Sequence, residues 1–238
     1  MIKNNYELAQ KAKNVATKYK TLYVRGAWGW PLTPANKIRA KKAYAYNRAA
    51  ARARKIDAAS SSTFAFDCVC LVKALLWGWD GNTKLKNGGA KYASNGVPDI
   101  NADAMINVCK DVSGSFNRIE VGEFLWMPGH CGIYIDEGLA VECTPSWSDN
   151  VQITAVGNVG KKAGYNTRTW RKHGKLPYFA YVGTAQTAQN VNPLSDYSDE
   201  ELAHLVILGK FWNGTARKQT LGTRYDAVQK IVNRMLKG

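Results

Sequence analysis

Acidic residues are scarce in this chain: 18 Asp and Glu stand against 33 Lys and Arg, for a formal net charge of +15. A field of that sign draws in polyanions and speeds encounters with them. Nucleic acid and an anionic bacterial wall are both candidates, and charge alone does not choose. Long apolar runs are also missing. Nothing approaches the roughly 18 consecutive apolar residues of a membrane span, so no membrane insertion is expected. The opening Met1-Ile2-Lys3-Asn4-Asn5 has no apolar core of the secretory type, so synthesis without a secretory leader is expected. Cysteine is limited to five residues. An odd number without an export signal argues for free thiols over a disulfide framework. The usual Cys-x-x-Cys knuckle is lacking too, which weakens a zinc site built from Cys68, Cys70, His130 and Cys131. No zinc finger or aromatic ribonucleoprotein strand accompanies the basic residues, so no specific nucleic-acid partner is expected. Asp99-Ile100-Asn101-Ala102-Asp103 opens like a calcium loop, but Ala104 stands where Gly is needed and Lys110 where a bidentate Glu belongs. A helix cap at Asn101 or Asp103 accounts for it better.

What is present describes a folded protein. Of the 238 residues, 45% are apolar and 11% aromatic, enough for one sizeable core and a small appendage. Asn4 with Glu7 resembles a capping box, and Leu8, Ala12, Val15, Ala16 and Tyr19 form the apolar stripe of a helix over residues 4–20. The aromatic, Gly-rich run from Leu22 to Pro31 reads as a loop, of a kind that also suits a cleft wall. Thr33-Pro34 starts a second helix, which carries eight basic residues and no acid from Lys37 to Lys55. That stretch is either a solvated face or a docking surface for anionic polymers. Strands are expected at Glu123–Met127, His130–Ile135, Leu139–Cys143, Val151–Val156 and Leu176–Val182. Residues 183–197 are polar and aperiodic and read as a linker. In residues 198–238, Ser198 with Glu201 forms a capping box, and Leu202, Leu205, Val206 and Leu208 lead to a stop at Gly209. A short helix then ends at Gly222, and Val228, Ile231, Val232 and Met235 mark a third.

The chemistry gathers around Ser62–Trp77. Leu71, Val72, Leu75 and Leu76 fall at helical spacing, so Cys68 lies in the first turn of a buried helix. Free amides and the positive end of the helix dipole favour a thiolate there. Downstream, Asp136-Glu137-Gly138 fits a three-residue hairpin loop pairing Ile135 with Leu139. That register sets Gly132 opposite Glu142 and His130 opposite Thr144, with His130 and Glu142 on one face. Cys68, His130 and Glu142 then supply a nucleophile, a base and an orienter. Amides at the helix N-terminus, that of Cys68 included, are expected to be able to hold an oxyanion. Cys131 and Cys143 are expected to face one another across the strands, on the side away from the triad. His173, among basic residues, and His204, in the terminal segment, compete poorly as the base.

Phe66-Asp67-Cys68, Val121-Gly122-Glu123, His130-Cys131-Gly132-Ile133-Tyr134-Ile135 and a polar residue twelve positions after the histidine resemble NlpC-type cysteine peptidases and the related CHAP amidases. Glu as the third member is closer to CHAP. Tyr23-Val24-Arg25-Gly26 resembles the NlpC Tyr-x-x-Gly. Two features depart from the pattern: Val69-Cys70 replaces the usual Ser-Gly, and the basic segment 34–55 looks inserted. The resemblance implies an α+β, papain-like catalytic domain over residues 1–182, helices packed on an antiparallel sheet, with no cofactor or metal. It implies Cys68, His130 and Glu142 as the catalytic residues, with Tyr23 and Asp67 in the substrate cleft.

Residues 198–238, expected to form a three-helix bundle, resemble the wall-binding repeat at the end of some phage lysozymes. Leu202-Ala203, Gly209-Lys210, Trp212-Asn213-Gly214, Arg217, Leu221, Tyr225–Gln229 and Val232-Asn233 carry that likeness. It implies wall contacts by Trp212, Asn213, Arg217 and Tyr225. A catalytic head, a linker and a wall-binding tail together resemble a bacteriophage endolysin. Such an enzyme is made in the host cytoplasm, reaches the wall through a holin and takes peptidoglycan and anionic wall polymers as partners. The bond would be that of an N-acetylmuramoyl-L-alanine amidase or a stem-peptide endopeptidase. The alternatives are a non-catalytic wall-binding protein and, on charge alone, a nucleic-acid-binding protein.

Overall fold

Asn4 starts the first helix as its spacing to Glu7 predicts. Its side-chain oxygen accepts the Glu7 amide at 2.9 Å, and α1 (Asn5–Lys18) buries Leu8, Ala12 and Val15. The computed structural model describes residues 1–182, 194, 197–207, 211 and 214–236. The chain divides into two units, Met1–Ala180 and Tyr181–Gly238. The first mixes helices with two sheets. The described part of the second is helical.

β1 (Thr21–Tyr23), β2 (Trp28–Pro31) and β3 (Phe64–Phe66) form a small sheet with β3 in the middle. The aromatic run that reads as a loop is thus partly strand. Pro31 is tolerated because β2 is an edge strand, where a missing N–H breaks no ladder. The basic segment expected as one helix is three: α2 (Pro34–Ala43), α3 (Ala45–Arg48) and α4 (Ala50–Ala58), broken at the extended residues Tyr44 and Ala49. Tertiary contacts cause the break. Asn47 is buried, donating to Ala40 O and Arg25 O at 3.0 Å each and accepting from the Arg25 amide at 3.1 Å. Tyr44 packs against Gly26, whose φ of +78° leaves no room for a Cβ: one would sit 2.1 Å from the Tyr44 ring. The segment also has acidic partners from elsewhere. Arg52 and Lys55 both bond the buried Asp149 at 2.7 Å, and Lys41 pairs with Asp57.

α5 (Cys68–Leu76) is buried along its whole length and is capped by Asp67, which accepts the Cys70 amide at 2.7 Å. α6 (Ala102–Val108) is capped by Asn101, which accepts from Ala104 at 2.8 Å. The large sheet holds β4 (Lys110–Ser113), β5 (Phe124–Met127), β6 (His130–Asp136), β7 (Leu139–Cys143), β8 (Val151–Val156), β9 (Thr167–Arg168) and β10 (Lys172–Lys175). Their order is β4-β10-β5-β6-β7-β8-β9, antiparallel except for β8 with β9. The expected strand at 176–182 lies instead at 172–175, and within 176–182 only Ala180 bridges to Asn4. The polar Lys-His-Gly-Lys carries no apolar alternation to betray it.

Gly132 lies opposite Glu142 as expected, although the hairpin reaches that register differently. Asp136, not Ile135, pairs with Leu139, leaving a two-residue loop at Glu137-Gly138, and a register shift between Tyr134 and Asp136 restores the alignment. Both loop residues have positive φ, the requirement of a tight two-residue turn. One face of the sheet packs Phe124, Cys131, Ile133, Val141, Cys143 and Val151 against α1 and α5. The other buries Leu125, Tyr134, Ala140, Val156 and Trp170.

In the second unit, α7 (Asp199–Ile207), α8 (Gly214–Leu221), a 3₁₀ turn at Gly222–Arg224 and α9 (Tyr225–Met235) enclose Leu202, Val206, Phe211, Leu221, Val228 and Val232. The Ser198–Glu201 capping box closes from both sides, at 2.8 and 3.2 Å. Leu208, the stop at Gly209 and most of the linker lie outside the described residues. Among those described, no helix is long and apolar enough to cross a membrane.

Candidate active site

Cys68 opens α5 directly after β3, and the apolar length of that helix holds its first turn against the start of β6. Cys68 retains 9% exposure, and its thiol lies 4.0 Å from Gly129 O. Its pKa is drawn down to about 5. The Cys131 thiol, hydrogen-bonding to the sulfur, is the main cause. The hydrogen bond and charge of His130 and the Val69 amide add to it, against burial, which pushes the other way. A thiolate therefore exists at neutral pH.

His130 is the first residue of β6. Its Nε2 lies 2.7 Å from Glu142 Oε2, which leaves Nδ1 as the ring nitrogen for the sulfur. Its ring stacks on Trp170, centroids 5.5 Å apart and planes within 9°. Burial alone would lower the imidazole pKa. The hydrogen bonds and charges of Cys68 and Glu142 outweigh it, and the net shift is upward. A lowered thiol and a raised imidazole together favour a thiolate–imidazolium pair.

Glu142 is fully buried. Its Oε2 also accepts from Arg168 Nε at 2.6 Å, and its Oε1 from Thr154 Oγ1 at 2.7 Å. Burying a carboxylate is costly unless it is hydrogen-bonded in this way. Arg168 comes from β9, its guanidinium 4.8 Å from the Trp147 ring centroid. Asp103 secures the turn before His130: its Oδ1 accepts the Gly129 amide at 2.9 Å and Trp126 Nε1 at 2.8 Å. Arg168, Thr154, Trp170 and Asp103 all escape a reading of the sequence, because no local pattern links them to His130 or Glu142.

Tyr23 stands beside Cys68, its phenol pKa pushed up by burial and then by the charges of Cys68 and Asp67. Asp67 is placed differently from a free cleft carboxylate. Its Oδ1 takes the Cys70 amide and its Oδ2 the Gly26 amide, at 2.8 Å, so it fixes the start of α5 to the β1–β2 loop. Burial and then the Cys68 charge raise its pKa to about 6.

The expected position of Cys131 and Cys143 needs correction. They lie on the face that carries α5, where Cys131 meets Cys68 and the Cys143 thiol reaches Phe66 O at 3.3 Å. Cys68 comes from the helix over one face, while His130 and Glu142 belong to the other, and His130 meets the sulfur at the start of β6. All five cysteines are free. Among the described residues, no group of three or more His, Cys, Asp or Glu is arranged to hold a metal.

A second histidine–carboxylate pair lies in the same sheet. His173 is buried, with Nδ1 on Glu123 and Nε2 2.8 Å from Ser115 O. The thiol nearby is Cys109, which burial and then the Glu123 charge push up to about 12. That cluster sets its cysteine beside a carboxylate and keeps it protonated. Of the five cysteines, Cys68 alone has its pKa lowered.

In the second unit, Arg217 donates to Gln229 Oε1 at 2.8 Å, and Lys218 Nζ lies 5.8 Å from the Tyr225 ring centroid. Trp212 and Asn213 lie outside the described residues. Residues 200–236 match the CW_7 repeat. The carboxy-terminal helices are thus similar to a cell-wall-binding repeat. The CW_7 match stops short of the triad, and no NlpC or CHAP family match covers the amino-terminal unit. Neither a curated protein nor a solved structure matches the chain.

Proposed function

We propose that the protein is a peptidoglycan hydrolase of endolysin type, whose NlpC-like, papain-like head cleaves a wall amide through a Cys68 thioester. The observation that carries this reading is the His130–Glu142 pair beside an acidified Cys68, in a chain that ends in a CW_7 repeat. The thiolate attacks the amide carbonyl, and the Cys68 amide at the start of α5, beyond reach of any intrahelical acceptor, stabilises the oxyanion. The imidazolium gives its Nδ1 proton to the leaving amine, and the thioester forms as the C–N bond breaks. His130, now neutral, takes a proton from water as it attacks the thioester, and the acid and the thiolate are released. Glu142 holds the ring in place and balances its charge throughout. The CW_7 repeat keeps the head on its polymeric substrate, raising its local concentration there.

Cys68→Ala tests the reading. The variant is expected to sediment with purified walls as the wild type does and to release nothing from them. Equal lysis by both proteins would overturn the mechanism. A wild type that binds walls and never lyses them would leave a wall-binding protein without catalysis.

A further inference from the structure

A cavity of about 420 Å³ opens at the start of α5, with Asp67 and Val69, the two chain neighbours of Cys68, in its wall. Trp30, Arg39 and Lys73 also line it. Its carboxylates are already engaged: Asp67 holds two backbone amides, and Asp99 holds the Lys73 ammonium and the Tyr92 hydroxyl. Its donors are in surplus. Trp30 is 2% exposed, and its indole Nε1 has no hydrogen-bond partner among the described residues. The Arg39 guanidinium lies 4.0 Å from the Trp30 ring centroid, and among the described residues no carboxylate pairs with it. A buried N–H without an acceptor costs about 1–3 kcal/mol, which a ligand bringing the acceptor recovers. A surplus of donor-only groups around one stacked guanidinium calls for an acceptor-only anion.

We infer that this cavity binds a free carboxylate of the stem peptide, with Arg39 as the anchoring residue and the Trp30 indole as a second donor. The inference rests on the proposed hydrolase reading for the identity of the substrate. A planar carboxylate fits the guanidinium fork, and the stem peptide carries carboxylates within a few bonds of its amides. Arg39 belongs to α2, in the basic segment that reads as an insertion, so the insertion would supply specificity. An amidated stem peptide, presenting an NH₂ group to donors, should bind less well.

The test uses full-length Cys68→Ala protein and calorimetric titration with muramyl-L-alanyl-D-glutamate and its amide, muramyl-L-alanyl-D-isoglutamine. The acid is expected to bind on the order of tenfold more tightly. That ratio should fall to near one in Cys68→Ala/Arg39→Ala, and partly in Cys68→Ala/Trp30→Phe, which keeps the ring and removes the N–H. The CW_7 repeat is common to every protein compared, so a fall in the ratio on loss of Arg39 is not its contribution. Equal affinity for acid and amide, no binding of either, or a preference that survives loss of Arg39 would each overturn the inference. Failure of the hydrolase reading shows separately, as intact walls after treatment with the wild-type enzyme.

Discussion

Glu142 meets His130 Nε2 at 2.7 Å from a fully buried position and shares the same oxygen, Oε2, with Arg168 at 2.6 Å. The carboxylate therefore divides its charge between the His130 imidazole and the Arg168 guanidinium. Changing either partner should move the His130 pKa, in opposite directions. Glu142→Gln removes a charge that raises it, so the alkaline limb of the pH–rate profile should move down, with kcat/KM reduced about 10²-fold. Arg168→Ala leaves Glu142 less neutralised, so that limb should move up. Profiles of kcat/KM against pH for both variants check the signs, and shifts in the same direction would contradict the assignment.

On the proposed mechanism the thiolate–imidazolium pair also sets the limits of activity. Below about 5 the sulfur takes up a proton and attack is lost. Above the raised imidazole value, higher than 6.5, the proton for the leaving amine is lost. The expected profile is a bell between these limits, whose two apparent values belong to the pair. Because Cys131 is the chief influence lowering the thiol, Cys131→Ala should move the acid limb upward and slow alkylation of Cys68 at pH 5.5. Iodoacetamide labelling followed by mass reads this directly.

Gly132 transmits packing to the base. A Cβ there would meet the Val141 carbonyl at 3.0 Å and the Trp170 ring at 3.1 Å, and Trp170 is the surface on which His130 stacks. Gly132→Ala should keep the fold and lower kcat by about tenfold or more through misplacement of the imidazole. Circular dichroism and single-turnover rates together separate this from simple unfolding.

Local patterns carried much of the fold. Caps at Asn4, Asn101 and Ser198 and the apolar face of Leu71, Val72, Leu75 and Leu76 are short-range signals, and each appears where its spacing places it. Glu142 is legible because strand alternation makes the face of a side chain countable. Even there, the Gly132–Glu142 register arises from a two-residue turn plus a bulge and not from the three-residue loop that the sequence suggests. Long-range pairing is what sequence hides. Arg52 finds Asp149 97 positions away, so a stretch that reads as acid-free is partly neutralised in space. Arg168 reaches Glu142 across 26 positions from a two-residue strand with no periodicity to announce it. The strand Lys172–Lys175 is polar because its buried histidine is satisfied by Glu123 and Ser115, an arrangement that no hydropathy pattern encodes.

Mass spectrometry of fragments released from purified walls by wild-type protein and by Cys68→Ala puts the whole account to the test. Wild type should generate one new kind of end, an N-terminal alanine from amidase cleavage or a D-glutamyl carboxylate from endopeptidase cleavage, and Cys68→Ala should generate neither. The same new ends from both proteins would contradict a Cys68 nucleophile, and no new ends from wild type would contradict the hydrolase itself.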